Sequence, residues 1–206
     1  MIMKKIARIV SNLFSPLLVS SYGVLASLCC STLDILVPLS TKLTVAGVTF
    51  FITGILPMLF ISSMYFSKRV STLNLENRTE RTIPYVFASL CYVGCAFYLH
   101  SIHAPSWLWT FPIGGAIAVV VSLIVNRRWK ISAHLAGMGG VTAIFFRIAV
   151  DGAALPGIVW WVVASILITG LLGTARIELG RHTLGQTLAG AANGFFWVFL
   201  LSSIKF

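Results

Sequence analysis

The sequence predicts an all-α, polytopic membrane helix bundle of about seven transmembrane segments, and three observations predict it. Hydrophobic residues make up 58% of the 206 and charged residues only 10%, with a mean hydropathy of +0.95, whereas a soluble domain carries about 25% charged residues. The apolar residues are gathered into runs close to the ~20 residues that a membrane helix requires. The polar loops between these runs alternate in character, basic then nearly neutral. Residues 1–206 therefore read as a single integral membrane domain, with six segments as the lower count.

The first run, 11–33, has a polar leading half containing Ser11, Ser15, Pro16, Ser20, Ser21 and Tyr22, so a tilted, kinked or re-entrant piece is expected. Lys4, Lys5 and Arg8 ahead of it resemble the charged start of a signal peptide, but many apolar runs follow and no small-residue cleavage site stands out. The later runs, 44–66, 84–103, 107–126, 134–152, 155–174 and 186–203, are mostly hydrophobic on all sides, as helices among lipid and other helices are. Two of them depart from this. The run from His134 carries Gly137, Gly139 and Gly140, and the last carries Gln186, Gly190, Asn193 and Gly194; small residues permit close approach, so these two helices are expected to pack together. Trp107, Trp109, Trp160 and Trp161 read as an aromatic belt at one interface and Trp129 at the other. Arg147 and Asp151, four apart, read as an ion pair about 20 Å of helix from His134. Cys29, Cys30, Cys91 and Cys95 lack metal-site spacing and read as buried thiols.

With seven crossings the termini lie on opposite faces. One face holds Lys4, Lys5, Arg8, Lys68, Arg69, Arg78, Arg81, Arg127, Arg128, Lys130, Arg176 and Arg181, twelve of the fifteen Lys and Arg; Lys42, Arg147 and Lys205 fall to the other. By the positive-inside tendency the basic face is cytoplasmic. The net charge of +10 is thus spent on short loops that meet headgroups and phosphates, so nucleic acid is not an expected partner. A transporter would place charges or broken helices at mid-membrane, and the clear intramembrane charges here lie near an end.

Three stretches on the basic face, near 78–85, 130–134 and 175–186, each abut a helix start. Helix N-termini converging with guanidinium groups form a phosphate-binding hollow. His134 and His182 add a general acid and a nucleophile. His100 and His103 end a span at the opposite face and stay outside this group.

These motifs resemble the type 2 phosphatidic acid phosphatases, membrane lipid phosphatases whose pattern runs KxxxxxxRP, PSGH and SRxxxxxHxxxD. Arg176 and His182 stand at the family's spacing, with Gln186 where the family has Asp and Ala175 where it has Ser. Ser132 and His134 match the second motif, with Ile131 for Pro and Ala133 for Gly. In the first motif Pro84 is present, Arg81 is not adjacent to it, and Asn74 replaces Lys. A more local resemblance is to short multi-span members of Bacteroidetes with RxxRxxPY, KISAH and ARxxLxxHxxxQ stretches, here Arg78–Tyr85, Lys130–His134 and Ala175–Gln186. The resemblance implies a lipid phosphate phosphatase of the bacterial inner membrane, acting through a phosphohistidine without metal or other cofactor; it implies a site facing the periplasm, whereas the charge count puts the same face in the cytoplasm, and the sequence leaves both orientations open. It implies His182 as nucleophile, His134 as acid and base, and Gln186 as the group orienting His182, with Glu178 or Glu80 as alternatives. Arg176, Lys130, Arg81, Arg78 and Ser132 are the implied phosphate ligands, and the partner is a phosphorylated lipid in the bilayer. Because Gln186 lacks the charge of Asp, a noncatalytic membrane protein that binds phosphorylated lipid or scaffolds a partner is the alternative.

Overall fold

Six helices among the described residues are long and apolar enough to cross a membrane: Leu39–Phe66, Arg78–Ser101, Ser106–Asn126, Ala133–Val150, Ile158–Glu178 and Leu184–Ser202. The computed structural model describes residues 2–73, 75 and 77–204; Asn74 and Lys205 lie outside them. No strand occurs among the described residues beyond an isolated bridge between Ser31 and Ala154. The fold is the expected all-α membrane bundle.

The expected segment 11–33 is instead two helices, α1 (Ile2–Leu13) and α2 (Pro16–Cys30), bent by 60°. Pro16 removes a backbone donor and disfavours helical geometry in the residue before it, and Ser15 accordingly adopts φ −61°, ψ 141°. With 15 residues, α2 is about 22 Å long, short of the ~30 Å hydrocarbon layer. Its far end is pinned where Thr32 N–H donates to the Ala153 carbonyl at 2.8 Å and Leu155 N–H to that of Cys30 at 3.1 Å. Together α1 and α2 run from the basic face to the opposite one, with α1 lying against the fifth of the six spanning helices, Ile158–Glu178.

The first long span is α4 (Leu39–Phe50), a π-turn (Phe51–Ile55) and α5 (Leu56–Phe66), following a short α3 (Leu33–Leu36). Pro57 cannot donate to the carbonyl four residues back, and Leu56 N–H bonds five residues back to Phe51, which gives the wider turn. Helices α6 (Thr82–Ser101), α7 (Ser106–Asn126), α8 (Ala133–Val150), α9 (Ile158–Glu178) and α10 (Leu184–Ser202) complete the bundle.

The expected pairing of the two glycine-bearing helices is present as α8 against α10. A Cβ at Gly139 would collide with the Ala191 carbonyl, at Gly190 with that of Ser132, and at Gly194 with that of Ala136. Backbones this close admit only glycine, so the register of the two helices is fixed. Ser132 N–H donates to the Gln186 carbonyl at 3.3 Å, which sets the two helix starts side by side. Asn193, expected at this interface, points instead to α7, donating to the Ala118 carbonyl at 2.8 Å and the Ser122 hydroxyl at 3.0 Å.

Trp160, Trp161 and Trp129 are exposed as an interfacial belt requires, but Trp107 is buried in the main core with Leu108 and Phe111. A bundle of this size needs a large side chain to fill the end of its core, and that demand overrides the interfacial preference of Trp. Arg147 pairs with Asp151 on α8, and Lys42 with Asp34 at the same end of the molecule.

Candidate active site

The end of α9 is built to turn the chain sharply. Gly180 takes φ +65° just past the helix, and Arg181 N–H donates to the Arg176 carbonyl at 3.1 Å, a glycine C-terminal motif. Arg176 thereby sits on the last turn of α9 and His182 on the connection just before α10, and the five residues between them fold back.

Next comes a capping box at α10. The Thr183 hydroxyl accepts from Gln186 N–H at 3.4 Å, and Gln186 Oε1 accepts from Thr183 N–H at 3.2 Å. The same Oε1 lies 3.2 Å from His182 Nδ1. Thr183, Leu184, Gly185 and Gln186 do not line the cavity beside His182, so the α10 N-terminus does not supply the second free helix end that the sequence suggested. The α8 N-terminus has no side-chain cap at Ser132, and Ala133 and His134 in its first turn line a cavity, leaving the positive end of the helix turned toward it.

That cavity measures about 570 Å³, within the range of sites for small molecules. Around one end stand His134, His182, Arg176, Lys130, Arg81 and Arg181. Away from that end the wall is mostly apolar, with Phe111, Val119, Gly140, Val198, Pro57 and Ile61, and is interrupted by Ser20, Thr53, Tyr92 and Ser122. No Asp or Glu among the described residues lines it. The rings of His134 and His182 are close enough to feel each other's charge, and both feel Arg176. Burial, then Arg176, disfavour the imidazolium of His182; the Gln186 bond opposes them, and the result is a pKa pulled down to about 4.

Arg176 donates to the Ser11 hydroxyl at 2.8 Å, joining α1 to the site. Arg81 is buried; its Nε donates to the Leu75 carbonyl at 2.8 Å, and Nη1 lies 3.5 Å from Asn126 Oδ1. Two expected ligands stand elsewhere. Arg78 is exposed and directs Nη1 to the Arg127 carbonyl at 3.4 Å, and Ser132 is fully buried, off the cavity wall. Neither alternative orienting carboxylate reaches His182: Glu80 accepts from Ser71 N–H at 2.7 Å and from Asn77 Nδ2 at 3.1 Å, and Glu178 is exposed and off the cavity wall.

Several wall residues were not singled out by sequence as site residues: Lys4, Arg8 and Ser11 from α1, Tyr85 beside Arg81, and Arg181. The spacing of 4, 8 and 11 along a helix carried that signal, masked by the expectation that basic N-terminal residues set topology. Among the described residues no group of three or more His, Cys, Asp or Glu side chains is placed to hold a metal ion. No family model, curated protein or solved structure matches the chain.

Proposed function

We propose that this membrane protein is a lipid phosphate phosphatase of the type 2 phosphatidic acid phosphatase kind, hydrolysing a lipid phosphomonoester or diphosphate. The observation that carries the reading is the His182–Gln186 contact at the cationic end of a cavity whose remaining wall is mostly apolar. An amphiphile with an anionic head and a hydrocarbon tail matches such a cavity end for end.

In this reading Nε2 of His182 attacks phosphorus. A P–N bond forms as the P–O bond to the lipid breaks, and the electron pair departs on the lipid oxygen. His134, protonated while the phosphate is bound, gives its proton to that oxygen. It then takes a proton from water, which attacks phosphorus and returns the P–N pair to His182. Arg176, Lys130 and Arg81 stabilise the charge on the equatorial oxygens. We take the membrane to be a bacterial inner membrane, on the resemblance alone.

One observation favours a second reading, a noncatalytic binder of phosphorylated lipid: no carboxylate among the described residues bonds to His182, so the imidazolium formed in the reaction lacks a countercharge. Phosphate release by the purified protein from a panel of lipid phosphates separates the two, alongside His182→Ala. Release that disappears in the variant supports the phosphatase; binding without release supports the second reading.

A further inference from the structure

Helix α1 carries two stripes. Lys4, Arg8, Ser11 and Asn12, followed beyond the helix by Ser15, line the cavity, and the spacing of four and three from Lys4 to Arg8 to Ser11 is that of one helix face. On the opposite side Ile2, Ile6, Ile9 and Leu13 are half-exposed or more. A helix so divided lies at a membrane surface with its apolar side in lipid. The 60° bend at Ser15 keeps it out of line with α2, so its basic side lies along the cavity. The bond from Arg176 to Ser11 fixes its register against the proposed phosphate site. Along the helix from Ser11, the Arg8 backbone is about 4.5 Å away and that of Lys4 about 10 Å.

The cavity wall thus holds six cationic side chains, Lys4, Arg8, Arg81, Lys130, Arg176 and Arg181, with no carboxylate among the described residues. A terminal phosphate brings about two negative charges at most, far fewer than these six. Arg176, Lys130 and Arg81 are already assigned to the reacting group, which leaves Arg181, next to His182 in sequence, and the α1 pair on the same wall; of these the α1 pair stands on a separate helix and has no part in the reaction at phosphorus. Lys5 provides the contrast: Lys4, Lys5 and Arg8 are all exposed, but Lys5 alone of the three is not on the cavity wall. Anchoring to headgroups by the positive-inside tendency accounts for Lys5, but not for two cations placed on the cavity side at helical spacing.

We propose that Lys4 and Arg8 form a second anion subsite, which selects lipids whose headgroup carries two phosphorus centres over lipids with a single phosphate. The proposal rests on the reading of the cavity as a lipid phosphate site. The shared chemistry is an anionic phosphorus group next to the terminal one, supplied by a lipid diphosphate or by a phosphodiester bearing a terminal phosphate.

The test uses the full chain in detergent, with lipids of one tail bearing a monophosphate, a diphosphate, or a phosphodiester with a terminal phosphate. Affinity and phosphate release are measured on the same samples for the wild type, Lys4→Gln/Arg8→Gln and Lys5→Gln. In the wild type at least one two-phosphorus lipid binds about tenfold or more tightly than the monophosphate. The double variant brings that ratio to about threefold or less by weakening the two-phosphorus lipid alone, and Lys5→Gln leaves the ratio unchanged. Which headgroup shows the preference tells the two sources apart. A double variant that weakens all lipids equally, or leaves the ratio intact while its thermal unfolding matches the wild type, overturns the proposal. If the ratio collapses as expected but no lipid yields phosphate, the subsite stands and the phosphatase reading falls. Absence of binding by every lipid overturns both.

Discussion

Gln186 Oε1 lies 3.2 Å from both His182 Nδ1 and the Thr183 backbone nitrogen, and the second contact gives the first its meaning. A backbone N–H only donates, so the amide presents its oxygen, and His182 must donate to it from Nδ1. The lone pair is left on Nε2, the tautomer that a nucleophile needs.

Replacing Gln186 with Leu removes that acceptor and half of the α10 capping box. The expected result is a kcat lower by about 10–100-fold, with KM little changed and unfolding brought forward by about 1 kcal/mol. Gln186→Glu keeps both bonds and adds the missing countercharge, and a rate equal to or above the wild type is expected. Steady-state phosphate release checks both variants. Equal rates for the Leu variant and the wild type show that Gln186 only caps α10.

The pH profile follows from burial and Arg176, which hold His182 near 4. The competent form of a nucleophile is neutral, so the His182 contribution is present above about 4 and is lost as pH falls through it, instead of near the ordinary value of 6.5. The pH dependence of kcat/KM reports this group in the free enzyme. Gln186→Glu moves the acid limb upward, since a carboxylate favours the imidazolium. A wild-type acid limb near 6.5, unmoved in Gln186→Glu, contradicts the assignment.

Arg176 offers a fork of donors, one of them directed to Ser11 at 2.8 Å. Arg176→Lys retains charge but loses that planar geometry, and kcat/KM is expected to fall about 10–100-fold. Ser11→Ala leaves the guanidinium in place and costs only a few-fold, about 1 kcal/mol. Kinetics of the two variants side by side separate a phosphate ligand from a structural tether. A tether loses as much from the Ser11 side as from the Arg176 side.

Close approach of α8 and α10 makes Gly194 sensitive to a single methyl group, because its Cβ would meet the Ala136 carbonyl. Gly194→Ala is expected to destabilise by about 1–3 kcal/mol, read as a lower midpoint of thermal unfolding in detergent. Gly47→Ala is the control: no atom lies within 4 Å of its Cβ, and a helical alanine there is neutral or stabilising by up to ~1 kcal/mol.

The spanning helices were legible because apolar length and composition alone specify them; 107–126 and 134–152 match Ser106–Asn126 and Ala133–Val150 within a few residues. The break at Ser15 and Pro16 was legible as a kink but not as two helices with different orientations, since the direction of α1 depends on its packing against α9. At the site, the Arg176–His182 spacing brought both residues to one cavity, as did His134, Lys130 and Arg81. Arg78 and Ser132 were drawn into the expectation by their neighbours in sequence. On a short 3₁₀ turn and at a helix start, adjacent residues face different ways. Lys4 and Arg8 escaped notice because a charge count assigns residues to a face of the membrane and not to a side of a helix.

The central claim is that His182 carries the phosphoryl group. An aryl phosphate with a good leaving group does not need a proton from His134, so His134→Asn reacting with such a substrate accumulates the intermediate. Rapid quenching in alkali followed by peptide mass spectrometry is expected to locate the phosphate on His182, absent from His134→Asn/His182→Ala. A phosphate found on another residue, or turnover of the aryl phosphate by His182→Ala at the wild-type rate, contradicts the account.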